Sequence, residues 1–175
     1  MPHTIQQILS DKGYLLADGA MGTGLMALGL KRGEVAESWN VNHPDRIASV
    51  HDSFIDAGAD LILTNSFGGN RFILDRYELA DQVQAYNEAA AKVSRRCADE
   101  TGRPILVCGS MGPTGQLLKP LGKLTVEEAE EAYAEQAAAL ASGGVDYFWV
   151  ETMSSLDEMA AAMKGAASTR LPFAA

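Results

Sequence analysis

Apolar runs of strand length recur along the chain, at residues 14–17, 61–63, 105–108, 147–150 and 171–175. They do not alternate apolar with polar positions. Unbroken apolar runs mark strands covered on both faces, as in a parallel sheet. Between them lie stretches of helical period. Val126, Ala129, Tyr133, Ala137 and Leu140 step by three and four and form one stripe. Thr125 with Glu128 makes a capping box ahead of that stripe, and Ser155 with Glu158 repeats the signature before the next helix. Pro44 suits the first turn of a helix running to about residue 57, and another helix is predicted from about residue 81 to 100.

Helices give way to strands through glycine turns: A-G-A-D at 57–60, T-G-R-P at 101–104 and S-G-G-V-D at 142–146. Strand and helix alternate with a period of roughly 45 residues, without the sequence repetition of a solenoid. Such alternation predicts an α/β fold with a parallel sheet. A closed eight-strand barrel and an open doubly wound sheet both fit. The fifth strand has barely begun at Ala175 and no helix follows it. The expectation is therefore one domain over residues 1–175, without internal boundary: the first four βα units of a larger barrel and the start of strand five. Such a half would expose a strand edge and apolar surface, so a further chain segment or a homo-oligomer would complete it.

Composition narrows the class. The chain has 175 residues, 47% apolar and 21% charged, as in an ordinary globular domain. A net charge of −9 argues against a general nucleic-acid binder, which needs excess Lys and Arg. Nor is there a polybasic membrane anchor, a secretory signal or an apolar stretch of membrane-spanning length. Two cysteines, Cys97 and Cys108, are too few for a disulfide scaffold and suit reduced thiols in a cytoplasmic protein.

In both candidate folds the chemistry sits at the carboxyl ends of the strands. There the chain places residues 18–24, 64–70, 109–115 and 151–153, joining glycines to small polar groups. Asp18 and Glu151 end different strands and can face one mouth. Two carboxylates there suit a cation such as an amino-acid ammonium, or an acid–base pair with separated pKa values. The plainer alternatives are an N-cap or Asx-turn for Asp18 and a solvated loop carboxylate for Glu151. G-A-M-G-T-G at 19–24 lacks the G-x-G-x-x-G spacing of dinucleotide binders and the Lys-Ser/Thr of a P-loop. It is predicted to be a tight turn with backbone amides facing the pocket. A phosphate-binding α/β protein remains a rival reading.

His3, His43 and His51 make no metal site, which wants three or four convergent ligands. His43 suits capping or surface, His51 core or surface, and Cys97 a packed or surface helix position. Cys108, at the end of its run, can approach the mouth. Met21, Met26, Met111 and Met153 suit core or pocket packing. Trp39, Phe72 and Tyr77 suit core packing or loop anchoring, with a ring donor to a cation as the alternative.

Five segments in register carry a resemblance: L-L-A-D-G-A-M-G-T at 15–23, E-S-W-N-V-N-H-P-D at 37–45, I-x-A-G-A-D-L-I-L-T-N-S-F-G at 55–68, G-S-M-G-P-T-G at 109–115 and W-V-E-T-M at 149–153. Together they resemble the homocysteine S-methyltransferase family. That family includes the homocysteine-binding barrel of cobalamin-dependent methionine synthase and betaine–homocysteine methyltransferases. The resemblance implies a (β/α)8 TIM-type barrel. It implies that Asp18 and Glu151 grip the amino group of homocysteine, that the backbone amides of Gly19 and Ala20 meet its carboxylate, and that Thr64 and Phe67 line the pocket.

The implied reaction moves a methyl group from an onium, betaine or methylcorrinoid donor to the homocysteine thiol, giving methionine. A thiol of pKa about 8.5 is mostly protonated at neutral pH, and the family binds the sulfur to zinc. Its zinc cysteines stand on later strands, and neither Cys97 nor Cys108 matches them. The resemblance thus implies a zinc enzyme of which this chain carries the amino-acid-binding half, inactive alone; a corrinoid donor is admitted. Gly68 stands where betaine enzymes place an aromatic, which weighs against betaine. A non-catalytic amino-acid-binding module is the alternative.

Overall fold

The structure is a computed structural model and describes residues 4–175. His3 lies outside the described residues. Thr4 caps the first helix, α1 (Ile5–Lys12), through a reciprocal box with Gln7. No periodic stripe announces α1, because it touches the sheet mainly through Ile5 and Ile8. Four strands pair in parallel and in chain order: β1 (Leu61–Leu63), β2 (Leu106–Met111), β3 (Tyr147–Val150) and β4 (Phe173–Ala174).

The predicted first strand contracts to one bridge, Ala17 to Leu61, supported by Asp60 and Leu61 N–H groups donating to the Leu16 carbonyl. Tyr14 and Leu16 are largely exposed, so little packing extends the pairing. The last run also shortens. Pro172 has no N–H for a ladder, and only its carbonyl takes part, accepting from Phe148 at 3.0 Å. β2 instead runs longer than predicted and absorbs Gly109, Ser110 and Met111. Gly109 fits there because the helix carrying Leu140 lies close: a Cβ would stand 3.0 Å from a Leu140 methyl.

The remaining helices are α2 (Met21–Ala27), α3 (Trp39–Asn42), α4 (Pro44–Asp56), α5 (Arg71–Asp75), α6 (Val83–Glu100), α7 (Val126–Gly143) and α8 (Leu156–Ala167). The Thr125–Glu128 box forms as predicted. The Ser155–Glu158 box forms only by half. Ser155 accepts from the Glu158 N–H, but the Glu158 carboxylate turns inward.

Strand side chains alternate between two environments. Ile62, Val107, Met111, Phe148 and Val150 join the main core with residues of α4, α6, α7 and α8. Leu61, Leu63, Leu106, Cys108, Tyr147 and Trp149 face the other way, onto α1. Sequential strand order with the long helices on one face is single winding. The strand reversal of a doubly wound sheet does not occur among the described strands.

Several single-residue expectations change. Cys108 lies mid-strand against Ile8, Leu61 and Leu106, away from the mouth. Cys97 and Trp39 are core residues, and Phe72 packs on that core. Met26 is exposed, contrary to the packing expected for it, and Tyr77 is exposed too, which removes the core reading for its ring and leaves loop anchoring. His51 is fully buried, its Nε2 2.9 Å from Ser94 Oγ. Ser94 also donates to the Ala90 carbonyl, so His51 Nε2 carries the proton. Its Nδ1 is buried without a partner, and burial lowers its pKa to about 4.

Candidate functional site

A cavity of about 360 Å³ opens at the carboxyl ends of β1, β2 and β3. Asp18, Gly19, Ala20, Thr64, Phe67 and Glu151 all line it. So do Ser66 and Ser110, which lie in the predicted mouth segments without being singled out there, and Glu37, which lies outside those segments.

Asp18 reaches across to β1, where its Oδ2 accepts from the Leu63 N–H at 2.9 Å. That bond anchors it to the neighbouring strand rather than to its own turn. The N-cap of the following helix is Ala20, so the capping alternative for Asp18 fails. Asp18 Oδ1 is buried and has no hydrogen-bond partner. Burial raises its pKa to about 6; the Leu63 N–H opposes the shift and the Glu151 charge adds to it.

Glu151 is half-buried rather than freely solvated. Its Oε1 accepts from Ser110 Oγ at 2.6 Å, and its N–H donates to the Met111 carbonyl at 3.1 Å. Ser110 points inward because β2 continues through it, two residues beyond Cys108.

A relay of hydroxyls supports this wall. Thr64 Oγ1 accepts from the Ser110 N–H at 3.0 Å, and Ser66 Oγ donates to the Ser110 carbonyl at 2.8 Å. Ser66 has then used its proton, so in the 2.6 Å contact between them Thr64 is the donor. Buried amides brace the loop from behind: Asn40 donates to the Asn65 carbonyl, Gln136 to Ser66 and Asn87 to Gly69, each at 2.8 Å. Phe67 stands at the opening, 42% exposed, with its ring on Gly112. A Cβ at Gly112 would come within 2.6 Å of that ring, so only glycine permits the approach.

The glycine-rich segment differs from the tight turn predicted for it. Gly19 and Ala20 lead into α2, and Met21 and Gly22 open its first turn. The first N–H groups of a helix have no intrahelical acceptor, so backbone donors line this side of the cavity.

Glu158 holds the next loop. Its Oε1 accepts from the Thr114 N–H at 2.8 Å and the Thr114 hydroxyl at 2.6 Å, with the Tyr133 hydroxyl at 3.1 Å. Its spacing from Ser155 matches a capping box, so sequence alone does not separate the two roles.

The donors present do not fit zinc. Among the described residues no three His, Cys, Asp or Glu side chains converge to hold a metal ion. Burial pushes the Cys97 thiol up to about 12 and raises the Cys108 thiol as well, so neither is a ready thiolate. Among the described residues no helix is long and apolar enough to cross a membrane.

The chain is thus a singly wound parallel α/β domain with an acidic cavity at its strand ends. Residues 15–175 match the sequence pattern of homocysteine S-methyltransferases, and the chain belongs to that family. It is 36% identical over 167 residues to a methionine synthase of Mycobacterium tuberculosis and 36% identical over 160 residues to one of Mycobacterium leprae. Those matches cover 90% and 86% of this chain, but 14% and 13% of the two synthases. The homocysteine methyltransferase MmuM of Escherichia coli, in its metallated form, superposes with a TM-score of 0.79 at 26% identity. That superposition covers 95% of this chain and 64% of MmuM.

Proposed function

We propose that residues 1–175 form the amino-terminal half of one (β/α)8 barrel domain and carry the amino-acid-binding half of a homocysteine S-methyltransferase site. The observation that carries this reading is the buried, unpartnered Oδ1 of Asp18 in a cavity shared with Glu151. An orphaned carboxylate oxygen beside a second carboxylate calls for a cation with several N–H donors. An ammonium group meets that need. The open amides at the start of α2 then suit the carboxylate of the same zwitterion, with Thr64 and Phe67 as walls.

In the whole protein this half holds homocysteine while its thiol takes a methyl group from an onium, betaine or methylcorrinoid donor. Asp18 and Glu151 fix the amino end, and fixing one end limits where the sulfur can lie. Zinc belongs to this chemistry in the family, but the described residues of this chain do not supply its ligands. Small-molecule substrates and a cytoplasmic setting complete the reading, with a further segment or a second copy closing the sheet.

Calorimetry with homocysteine, using the complete reading frame, tests it. Asp18→Asn and Glu151→Gln should each weaken binding about 30-fold or more, because each leaves the ammonium short of one charged partner. Unchanged affinity in both variants would refute the assignment. The phosphate-binding alternative predicts heat with a sugar phosphate or nucleotide and none with homocysteine.

A further inference from the structure

We propose that Glu37 is a positioning residue of this cavity: its carboxylate holds the backbone at Phe67 and Gly68 and so keeps the Phe67 ring at the opening. The inference rests on the amino-acid-binding reading above and extends it to a side chain that reading does not use.

Glu37 sits in the short 3-10 turn Ala36–Ser38, only 9% exposed, and lines the cavity. Its Oε1 accepts from the Gly68 N–H at 2.7 Å. In the turn around it, the Ser66 N–H donates to the Thr64 carbonyl and the Gly69 N–H to the Ser66 carbonyl. The Gly68 N–H is the one that this carboxylate serves. Burying a carboxylate is costly, and a charge-assisted bond to a backbone N–H offsets part of that cost.

The fit is steric as well as polar. A Cβ at Gly68 would stand 2.9 Å from Glu37 Oε1 and 3.1 Å from an Ile73 methyl. Glu37 and Gly68 therefore interlock. Phe67 is held from its other side by Gly112, which donates its N–H to the Phe67 carbonyl at 3.0 Å and lies under the ring. A ring this exposed has little packing of its own to fix it. Its place depends on the backbone clamps before and behind.

The test uses the complete reading frame and two readouts. The first is hydrogen exchange of the Gly68 amide by NMR, which needs no ligand. The second is homocysteine affinity by calorimetry for the wild type and for Glu37→Gln, Glu37→Ala, Phe67→Ala and the Glu37→Ala/Phe67→Ala double variant. Glutamine keeps an acceptor at the same reach. It should retain amide protection and bind within about threefold of wild type. Alanine should lose the protection and bind about tenfold more weakly. Because the effect runs through Phe67, Glu37→Ala should add little once Phe67 is already alanine.

Lost protection with unchanged affinity, failure of glutamine to rescue, or multiplicative losses in the double variant would each overturn the positioning role. A wild-type protein that takes up no homocysteine would overturn the parent reading, and this one with it. Normal uptake by the wild type and the alanine variant alike overturns this one alone.

Discussion

The two ends of the sheet use the same device to different effect. At the amino ends, Asp60 accepts from the Leu16 N–H at 3.1 Å and Asp146 from the Val107 N–H at 2.8 Å. At the carboxyl end, Asp18 accepts from the Leu63 N–H at 2.9 Å. Each carboxylate clips onto a neighbouring strand. The difference lies in what completes it. Lys12 reaches Asp60 at 2.6 Å and Arg95 reaches Asp146 at 2.8 Å. Burial alone would raise the Asp60 carboxyl, but Lys12 and the Leu16 N–H outweigh it and hold the group below its ordinary value. Asp18 keeps a buried oxygen without a partner and a pKa raised to about 6. At one end a cation completes each of these carboxylates; at the other, Asp18 keeps an oxygen open, which the proposed reading gives to a ligand.

The comparison breaks most visibly at Asp146. Asp146→Ala strands the buried Val107 N–H and removes one of the two carboxylates that Arg95 pairs with, and should lower stability by about 2–3 kcal/mol in urea titration. Homocysteine affinity should stay unchanged. A variant that folds normally but binds poorly would erase the distinction between the ends.

Acid is the next lever. His51 carries a pKa of about 4 in the fold against 6.5 unfolded. The unfolded chain therefore binds the extra proton first as pH falls below 6.5. The stabilisation is whole above that value and fully lost below 4. Urea titrations at pH 7.5 and pH 5 should differ by about 2 kcal/mol from this group alone. His51→Leu should remove that part of the slope.

The smallest effect has the opposite sign. Asp18 has a folded pKa above its unfolded value of 3.8, so its ionised form destabilises the fold above about pH 6 and the penalty vanishes below about 4. Asp18→Asn keeps the Leu63 contact and removes the charge. At pH 8 it should stabilise by about 1 kcal/mol, discounted for partial solvent screening. The same substitution should raise Tm and weaken binding, as expected of a site strained for function.

Much of this was legible in the sequence because particular residues carry two signals at once. Thr125 and Glu128 cap a periodic stripe, and Asp18 and Glu151 are charges placed where apolar runs stop. Other features carry one signal or none. Ser110 falls in a predicted mouth loop, but its place on a strand is not legible because β2 outlasts its apolar run, which also puts Cys108 deeper than expected. The glycine-rich segment reads as a turn, since glycine disfavours helix, yet Leu25 packing against the core makes it α2. Glu37 lies in a stretch with no period, and its partner is a backbone N–H that leaves no mark in composition.

The most direct measurement is the proton balance of homocysteine binding. Calorimetry at pH 6 in two buffers of different ionisation enthalpy reads it. If an ammonium settles against Asp18, about half a proton should leave per molecule bound, since a group with a pKa near 6 is half protonated there. Any proton lost by the thiol leaves both proteins alike, so Asp18→Asn should release about half a proton less than the wild type. Equal proton counts in the two proteins, or tight binding without release, would contradict the account.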